Sequence, residues 1–428
     1  MTFVIVRSGV GGIGLSGVIV RAMGDFPNVP FAQTRAEALA RLEEFLPEVG
    51  RYSSRRNHIE PGHGNVSRLS PAIRARVLLE TEVAGAVRER FSPSTMEKFE
   101  QEIWWRLYWK GWLEMRPAVW ASFRRELAAL EWSDRARAVA AGESGVAIMD
   151  HFAKELIETG YLHNHARMWW AAFWIHVEGL PWQLGAGFFH RHLLDGDAAS
   201  NTLSWRWVAG LHTRGKAYLV RRSNVEKYVD DSILANAVAG IERLEGTTER
   251  EVEFVDPPAP ERISHSVTGE SEARRTGLWL HDEDLFLERS PLADLSIDSI
   301  AAFALTELEG AEADSILRRD FHGKAIEDGL ARASNHFQVE KGFRDASVSG
   351  EALMTWARKA RLDRIVAMRP FVGPLADRLS EIEETLEASG VKLELIRRTE
   401  DVEAMNRATA GFFGFWKKTG ALREEAFV

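Results

Sequence analysis

Apolar residues recur at helical spacing in the first half of the chain, and the pattern changes in the second half. The segment AEALARLEEFL, from Ala36 onward, places apolar residues one helical turn apart, which is typical of an amphipathic helix. After residue 275, the apolar runs TGLWLHDEDLF, SIAAFAL, LDRIVAMRP and KLELIRR alternate with helical stretches such as VSGEALMTWARKA. Such alternation predicts a parallel sheet with connecting helices. We therefore expect an all-helical domain followed by a parallel α/β domain.

Composition along the chain predicts where these domains begin and end. The N-terminal segment is apolar and glycine-rich, and we expect an arm or hairpin there. Its G-x-G-x-x-G match lacks the following helix that a dinucleotide-binding turn requires. A polar stretch containing PPAPE predicts a linker before the strands. The expected segments are the N-terminal arm 1–30, the helical domain 31–245, the linker 246–270 and the α/β domain 271–428.

Bulk composition excludes several classes of protein. A chain of 428 residues has room for two or three domains. It contains no cysteine, which excludes disulfides and cysteine-ligated zinc or iron–sulfur clusters and favours a cytoplasmic protein. The H-x-H pairs at His163/His165 and His190/His192 lack zinc-type spacing, so we expect no metal site. No secretory leader or long apolar run is evident, and we expect no membrane partner.

The net charge of −9 requires that any binding to nucleic acid depend on a local basic surface. The best candidate for a surface that follows phosphates is the basic segment between residues 206 and 227. Its cations are Arg206, Arg214, Lys216, Arg221, Arg222 and Lys227, against the single acid Glu226. A solvated basic loop with no partner is an equally good interpretation of this segment.

Tryptophan is concentrated in the middle of the chain, where 12 of the 15 lie between residues 104 and 207. Polar residues there recur at helical spacing. Glu102, Trp105 and Arg106 share one helix face, and so do Asn164, Arg167 and Met168. In DGDAASN, two aspartates open a helix on which Asp197, Asn201 and Trp205 follow one another at four-residue intervals. These faces predict a buried polar slot walled by indoles.

The run HNHARMW, then W-x-x-G, then DGDAASN-x-x-x-WRW resembles the flavin-binding core of DNA photolyases and cryptochromes. The E-x-x-W-R segment from Glu102 and the NVSRLSP loop are similar to two further motifs of that family. GLWLHDEDLFLERSPL and FFGFWKK resemble the opening and closing segments of its antenna domain, a Rossmann-like α/β domain. In ordinary members the antenna domain comes first, so the chain resembles a circularly permuted member with the flavin domain first.

The resemblance implies that the helical domain binds FAD, with the Arg167–Asp195 pair lying over the isoalloxazine and Asn201 facing its N5. An antenna chromophore of the folate or deazaflavin type is a second cofactor that the resemblance allows in the α/β domain. The implied FAD-binding residues are Tyr52, Arg56, Ser67, Arg68, Leu69, Ser70, Arg106, Asn164, Arg167, Asp195, Asp197 and Asn201. Val66 stands where the family usually has a threonine, which removes one hydroxyl contact.

The activity implied is light-driven repair, in which reduced FAD donates an electron to a cyclobutane pyrimidine dimer that is flipped out of UV-damaged DNA. The lesion-binding residues would be Glu102, Trp105, Asn164, Met168 and Trp207. The residues that carry the reaction would be Glu102, Trp105, Asn201, Trp205 and Trp182, the last two as inner relay tryptophans, with Trp132 as a weaker outer candidate. We expect a monomer. Two alternatives are a cryptochrome-like blue-light receptor that binds FAD without repair, and an inert flavin-binding homologue.

Overall fold

A computed structural model of the chain describes residues 26–27, 30–212, 217–265, 275–305, 314–340, 342–345 and 348–425. The predicted N-terminal arm lies almost wholly outside the described residues, and so does its glycine motif. The first part of the chain is helical: α1 (Arg35–Phe45), α2 (Val49–Arg55), α3 (Ser70–Arg74), α4 (Glu80–Arg88), α5 (Pro93–Glu114), α6 (Pro117–Ala129), α7 (Asp134–Ala140), α8 (Ala147–Thr159), α9 (Asn164–Ala172), α10 (Trp182–His192), α11 (Ala198–Val208), α12 (Arg222–Tyr228) and α13 (Asp231–Leu234).

The second part alternates strands and helices, as the apolar pattern predicts. Its elements are β1 (Thr276–Leu280), β2 (Ser299–Phe303), α14 (Ile316–His336), β3 (Phe343–Asp345), α15 (Gly350–Ala360), β4 (Arg364–Met368), α16 (Leu379–Ala388), β5 (Lys392–Ile396), α17 (Thr399–Met405), α18 (Phe412–Lys418) and α19 (Gly420–Glu425). The strand order is β3-β2-β1-β4-β5, and every pairing is parallel. The predicted fold class, a helical domain followed by a parallel α/β domain, is confirmed.

Local sequence explains how the principal helices begin. Thr34 and Glu37 form a reciprocal capping box at the start of α1. α5 begins at Pro93, where a missing N–H costs nothing. Trp104, Trp109 and Trp112 of α5 are all buried, so the tryptophan-rich part of this helix packs in the core. After α9, the backbone widens into a five-residue π-helix, Phe173–Val177.

Both ends of the chain pack across the predicted domain boundary. One apolar core joins α1 and α2 to a face of the sheet that carries Leu278, Ile300 and Val366. The opposite face of the sheet packs on α15 and α16. Met405 of α17 and Phe412 of α18 belong to the core of the helical part. The domain limits drawn from composition therefore stay a prediction, because the two parts share their cores.

Buried ion pairs hold the sheet against the helices at the carboxyl ends of β1 and β5. Arg74 binds Asp282 at 2.5 Å, and Arg76 binds both oxygens of Asp401, at 2.5 and 2.8 Å. Arg398 forms a bidentate pair with Asp284 at 2.9 Å. Such pairs remain stable in an apolar interior only when both charges are satisfied, so the two parts are joined by specific contacts as well as by apolar packing.

Among the helices of the described residues, none has the length and apolar character that crossing a bilayer demands.

Candidate functional site

A row of buried charges connects α5, α9 and the turn before α11. The Arg167 guanidinium lies 3.1 Å from the Asp195 carboxylate, so the ion pair that the family resemblance implies is present. Arg106 lies 3.9 Å from Asp195 and 4.0 Å from Asp197, and the Lys110 amine lies 3.7 Å from Asp197. Three cations and two carboxylates thus alternate across the predicted flavin slot.

These carboxylates are ionised in the folded protein. Burial alone would raise the pKa of Asp195, but the charges of Arg167 and Arg106 outweigh that effect and lower it. Burial is likewise outweighed at Asp197, where Lys110 and Arg106 bring the pKa down to about 2. Asp197 also caps α11, since it accepts a hydrogen bond from the Ser200 backbone N–H at 2.7 Å. The helix-cap interpretation and the flavin-site interpretation of Asp197 are therefore compatible.

Asn201 and Trp205 continue the Asp197 face of α11. The Asn201 amide nitrogen donates to the Ala186 carbonyl at 2.8 Å, which fixes the side-chain orientation and leaves the amide oxygen out of that bond. Trp205 is 2% exposed and makes edge contacts with Trp170 and Phe189. The other predicted inner relay residue, Trp182, stacks on Phe123 at 5.4 Å. The relay roles of Trp182 and Trp205 remain predictions.

The loop before α3 contains Arg68, a cation with buried hydrogen-bond donors that have no partner. Arg68 has a positive φ of 56°, a conformation that costs energy for a non-glycine residue. Its Nε and Nη1 atoms are buried without a hydrogen-bond partner, and burial lowers its pKa. A phosphate oxygen is the kind of group that would satisfy those donors, so Arg68 is suited to its predicted place among the FAD-binding residues.

The neighbours of Arg68 differ in what they offer to a ligand. Ser70 donates its side-chain hydrogen bond to Asp195, so it belongs to the charged row. The Arg41 side chain donates a 2.9 Å hydrogen bond to the Ser67 carbonyl. The Leu69 side chain is fully buried in the apolar core, which leaves only its backbone for a ligand. Tyr52 packs edge-on against Phe99 at 5.0 Å.

The two predicted lesion-binding residues of α5, Glu102 and Trp105, already make contacts with other parts of the protein. Glu102 accepts a 2.7 Å bond from Arg56 rather than from Arg106, its neighbour on the same helix. Burial raises the pKa of Glu102, and the charges of Arg56 and Lys98 oppose this only in part. Trp105 is half-buried, and Phe412 of α18 stacks on its ring at 3.8 Å and 8°. One face of that indole is therefore already covered.

The remaining lesion-binding candidates, Asn164, Met168 and Trp207, differ in their exposure and contacts. On α9, Asn164 is exposed and Met168 is half-buried. Trp207 stacks on Tyr218 at 5.4 Å. These positions agree with a partly open pocket, and the roles of the three residues remain predictions.

The basic segment is only partly described. Arg214 and Lys216 lie outside the described residues. Arg222 forms ion pairs with Glu226 at 2.7 Å and with Glu245 at 2.5 Å, so part of the predicted positive charge is neutralised. Arg206 lies 6.0 Å from the Trp182 ring centroid. The role of the basic segment between residues 206 and 227 as a surface that follows phosphates stays a prediction.

Sequence reasoning missed three features of this site. Lys110 lies one helical turn after Arg106, at i+4, and this spacing is the signal that predicts a shared face. The Arg56–Glu102 pair and the Trp105–Phe412 stack join segments 46 and 307 positions apart. Local spacing contains no signal for contacts of that kind.

The chain is similar in sequence to several known proteins. Residues 99–231 match the family described as the FAD binding domain of DNA photolyase. A deoxyribodipyrimidine photo-lyase of Thermus thermophilus is 35% identical over 203 residues, which cover 45% of this chain and 46% of that protein. That of Neurospora crassa is 31% identical over 195 residues, covering 42% and 31%. Cryptochrome DASH of Natronomonas pharaonis is 38% identical over 108 residues, covering 24% and 23%. The chain thus spans less than half the length of these relatives.

Solved structures of the same kind are also similar. A bacterial class III photolyase from Agrobacterium tumefaciens aligns with a TM-score of 0.41 and 21% identity, covering 72% of this chain and 56% of that one. A Synechocystis cryptochrome aligns with a TM-score of 0.40 and 21% identity, covering 51% and 48%. The sequence matches support a relationship with the photolyase and cryptochrome family, and they identify an FAD-binding domain in this chain.

Proposed function

We propose that this chain, which contains an FAD-binding domain of the photolyase type, splits cyclobutane pyrimidine dimers in UV-damaged DNA under blue light. The observation that carries the proposal is the convergence of the buried row Arg167, Asp195, Arg106, Asp197 and Lys110 with Glu102 and Trp105 on α5. An ordinary core would gain nothing from so many buried charges, because each must be satisfied. The names of the relatives, deoxyribodipyrimidine photo-lyases, support this assignment.

The polar residues around the slot fit FAD. Arg68 has two buried donors without partners, and the Nη1 atom of Arg106 is a further buried donor without a hydrogen bond; an anionic, polar cofactor would satisfy both guanidiniums. Arg167 and Asp195 would orient its polar edge, and the Asn201 side chain is held in place by Ala186. When bound and reduced, FAD supplies the light-driven electron that the amino acids cannot supply.

The protein's own residues would then hold the lesion. Because burial raises the pKa of Glu102, its carboxyl retains a proton to higher pH and can hydrogen-bond to a neutral base carbonyl. Trp105 is only partly buried, and the exposed part of its ring offers a stacking surface; such stacking typically contributes about 1–3 kcal/mol per base. Met168 and Trp207 would complete the apolar wall.

The test is repair of dimer-containing DNA by the purified, FAD-loaded and reduced protein under blue light. We expect Glu102→Ala to slow repair about tenfold, which corresponds to the loss of a hydrogen bond of about 1.4 kcal/mol, with an unchanged FAD content. Glu97→Ala is the matched control, because Glu97 lies on α5 but is exposed. Repair that is absent from a protein retaining reduced FAD would reject the enzyme.

The second candidate is a blue-light receptor that binds FAD without repair. One observation favours it: Glu102 already pairs with Arg56, and Phe412 already covers a face of Trp105. A lesion would have to compete with these internal contacts. Light-dependent changes in protease sensitivity, together with absent repair, would support the receptor.

We also propose that the chain is circularly permuted relative to ordinary photolyases, with the flavin domain first. The support is the position of the matched segment, residues 99–231, before the five strands that the described residues form. A rearranged chain in which residues 271–428 precede residues 31–245 should fold and bind FAD. An insoluble or flavin-free product would count against this proposal.

A further inference from the structure

Helix α14 of the α/β part contacts the turn that carries the two aspartates of the slot. This turn, residues 193–197, joins α10 to α11 and contains Asp195 and Asp197. We call residues 193–197 the aspartate turn. The contact is distant in sequence, since Arg318 of α14 and Gly196 of the turn are 122 positions apart. Its geometry shows which part of the fold holds the turn in place.

The Arg318 guanidinium binds two backbone carbonyl groups at once. One nitrogen donates to the His190 carbonyl, in the last turn of α10, and the other donates to the Gly196 carbonyl at 3.0 Å. The last carbonyls of a helix have no partner within that helix, so His190 offers an acceptor that the guanidinium satisfies. Arg318 is 3% exposed, and both bonds are therefore shielded from water.

The same end of α14 makes two further bonds to this region. The His322 ring nitrogen Nε2 lies 3.1 Å from the Leu194 carbonyl, and the Ser315 backbone N–H donates to the Arg191 carbonyl at 2.9 Å. Burial lowers the pKa of His322 well below its usual value, so the ring is neutral at pH 7. Because a carbonyl only accepts, the single ring proton lies on Nε2.

Gly196 leaves the space that the guanidinium occupies. A Cβ atom at this position would overlap the Arg318 guanidinium and would lie 3.0 Å from the His190 carbonyl oxygen. The backbone of Gly196 does not adopt the left-handed conformation that favours glycine. The close approach of Arg318 is therefore the reason why a side chain is excluded here.

The side chains that hold the turn are themselves anchored beside the sheet. Nδ1 of His322 lies 3.8 Å from the carboxylate of Asp282, which follows β1 and pairs with Arg74 at 2.5 Å. The Arg318 guanidinium lies 3.3 Å from Asp314, one helical turn before it. The position of the aspartate turn thus depends on the sheet as well as on α10 and α11.

We propose that Arg318 and His322 are positioning residues for the flavin slot: they hold the aspartate turn by its carbonyl groups and so fix where the Asp195 and Asp197 carboxylates lie. This inference rests on the proposed function, in which those carboxylates face FAD. The α/β part thereby controls the geometry of a site that the helical part forms.

Small movements of the turn are enough to disturb the slot. The Asp195 carboxylate lies 3.1 Å from Arg167, and the Asp197 carboxylate lies 3.7 Å from Lys110. Without the bonds from α14, the carbonyls of the turn would have to find other donors, and the carboxylates would move with them. A misplacement of about 1 Å in a binding site can cost about a hundredfold in function.

The test is titration of FAD into flavin-free protein, with the dissociation constant taken from fluorescence and the visible spectrum recorded for the bound flavin. We expect Arg318→Met to weaken FAD binding about tenfold or more and to shift the visible bands, because the carboxylates leave their places. Arg318→Lys should recover part of the affinity, since an ammonium can still donate to one carbonyl.

Arg332→Met is the matched control for a loss of stability alone. Arg332 also lies on α14 and donates to a carbonyl, that of Leu285 at 2.7 Å, which lies away from the slot. This variant should lower the thermal unfolding midpoint but leave the FAD dissociation constant and the flavin spectrum unchanged. A loss of FAD affinity as large as that in Arg318→Met would show general destabilisation and overturn the positioning role.

A second set of variants decides the question if Arg318→Met does not fold. Gly196→Ala should displace the guanidinium and weaken FAD binding. His322→Phe, which has no donor for the Leu194 carbonyl, should do the same, whereas His322→Gln retains a donor and should bind FAD more tightly than His322→Phe. Wild-type affinity and an unchanged spectrum in both Gly196→Ala and His322→Phe would overturn the inference.

The outcomes separate this inference from the proposed function. A wild type that binds no FAD would defeat both. Weakened FAD binding in Arg318→Met, in a protein whose wild type binds FAD but repairs no dimer, would support the positioning role and reject the enzyme. Repair by the wild type together with unchanged FAD binding in folded Arg318→Met would defeat the positioning role alone.

Discussion

Single residues decide how this protein tolerates charge in its interior. Lys110 is 2% exposed and lies between the Asp197 carboxylate at 3.7 Å and the Phe371 ring at 3.8 Å. Burial lowers its pKa, and the charge of Asp197 opposes that shift. The buried Lys110 ammonium stabilises the folded protein because it neutralises part of the charge of the buried Asp197 carboxylate.

Lys110→Met should therefore destabilise the protein although it preserves the shape of the side chain. Of its two ion-pair partners Asp197 would keep only Arg106, 4.0 Å away, and we expect a loss of about 3 kcal/mol in the free energy of unfolding. Urea denaturation measures this directly. Lys98→Met, a half-buried position on α5, is the control and should change stability by less than about 0.5 kcal/mol. Equal effects at the two positions would contradict the prediction.

The buried histidines make stability depend on pH. Burial lowers the pKa of His163, His190 and His322 well below the usual value. Below about pH 6.5 the unfolded chain binds protons at these sites and the folded chain does not. Stability should thus fall as the pH drops from about 7 to 5, before the aspartates with lowered pKa values add their own loss below about pH 4. A thermal unfolding midpoint that stays constant or rises over the first interval would contradict this.

At the scale of elements, helix α10 shows how packing reverses an ordinary propensity. Replacing a glycine within a helix by alanine normally stabilises it by about 0.5–1 kcal/mol. At Gly185 the new methyl group would overlap Trp205, whereas at Gly187 its contacts begin at 3.3 Å, with the flexible end of Leu127.

We expect Gly185→Ala to destabilise the protein by about 1–3 kcal/mol, and Gly187→Ala to be neutral or stabilising. Both free energies come from the same urea titration, and tryptophan fluorescence should change only in Gly185→Ala. Two variants of equal stability would mean that Trp205 is free to move.

The elements themselves follow largely from local patterns. The helices α1 and α15 and the strands β1, β2, β4 and β5 form where apolar periodicity predicts them, because each buries one face or lies between two layers. The strand β3 was not predicted. Its three residues, Phe343–Asp345, form an edge strand of the sheet, and a run that short contains no alternation to detect.

At the scale of the whole molecule, buried ion pairs join the two predicted domains. Asp284 follows β1 and binds Arg398 through both carboxylate oxygens, with Arg76 at 3.3 Å. Burial would raise the pKa of Asp284, but Arg398 holds it well below its usual range. This group joins the sheet, α17 and the loop after α3 in one buried network.

Asp284→Asn should lower the free energy of unfolding by about 3–5 kcal/mol, because the buried Arg398 guanidinium loses its bidentate carboxylate partner. Asp294→Asn, at an exposed position in the same part of the chain, should be nearly neutral. Chemical denaturation followed by both fluorescence and circular dichroism measures the loss. A stability equal to that of the control variant would show that the network does not hold the parts together.

The sequence by itself determined helices α1 and α15, most of the strands, and the shared face of Asp197, Asn201 and Trp205 on α11. These depend on spacing within a segment, and a helix or strand converts spacing directly into a shared face. Only the tertiary structure decided that Arg56 pairs with Glu102, that Phe412 covers Trp105 and that Arg318 holds the turn before α11. Those contacts arise where separate elements meet, and the angle and distance between packed elements depend on the whole core.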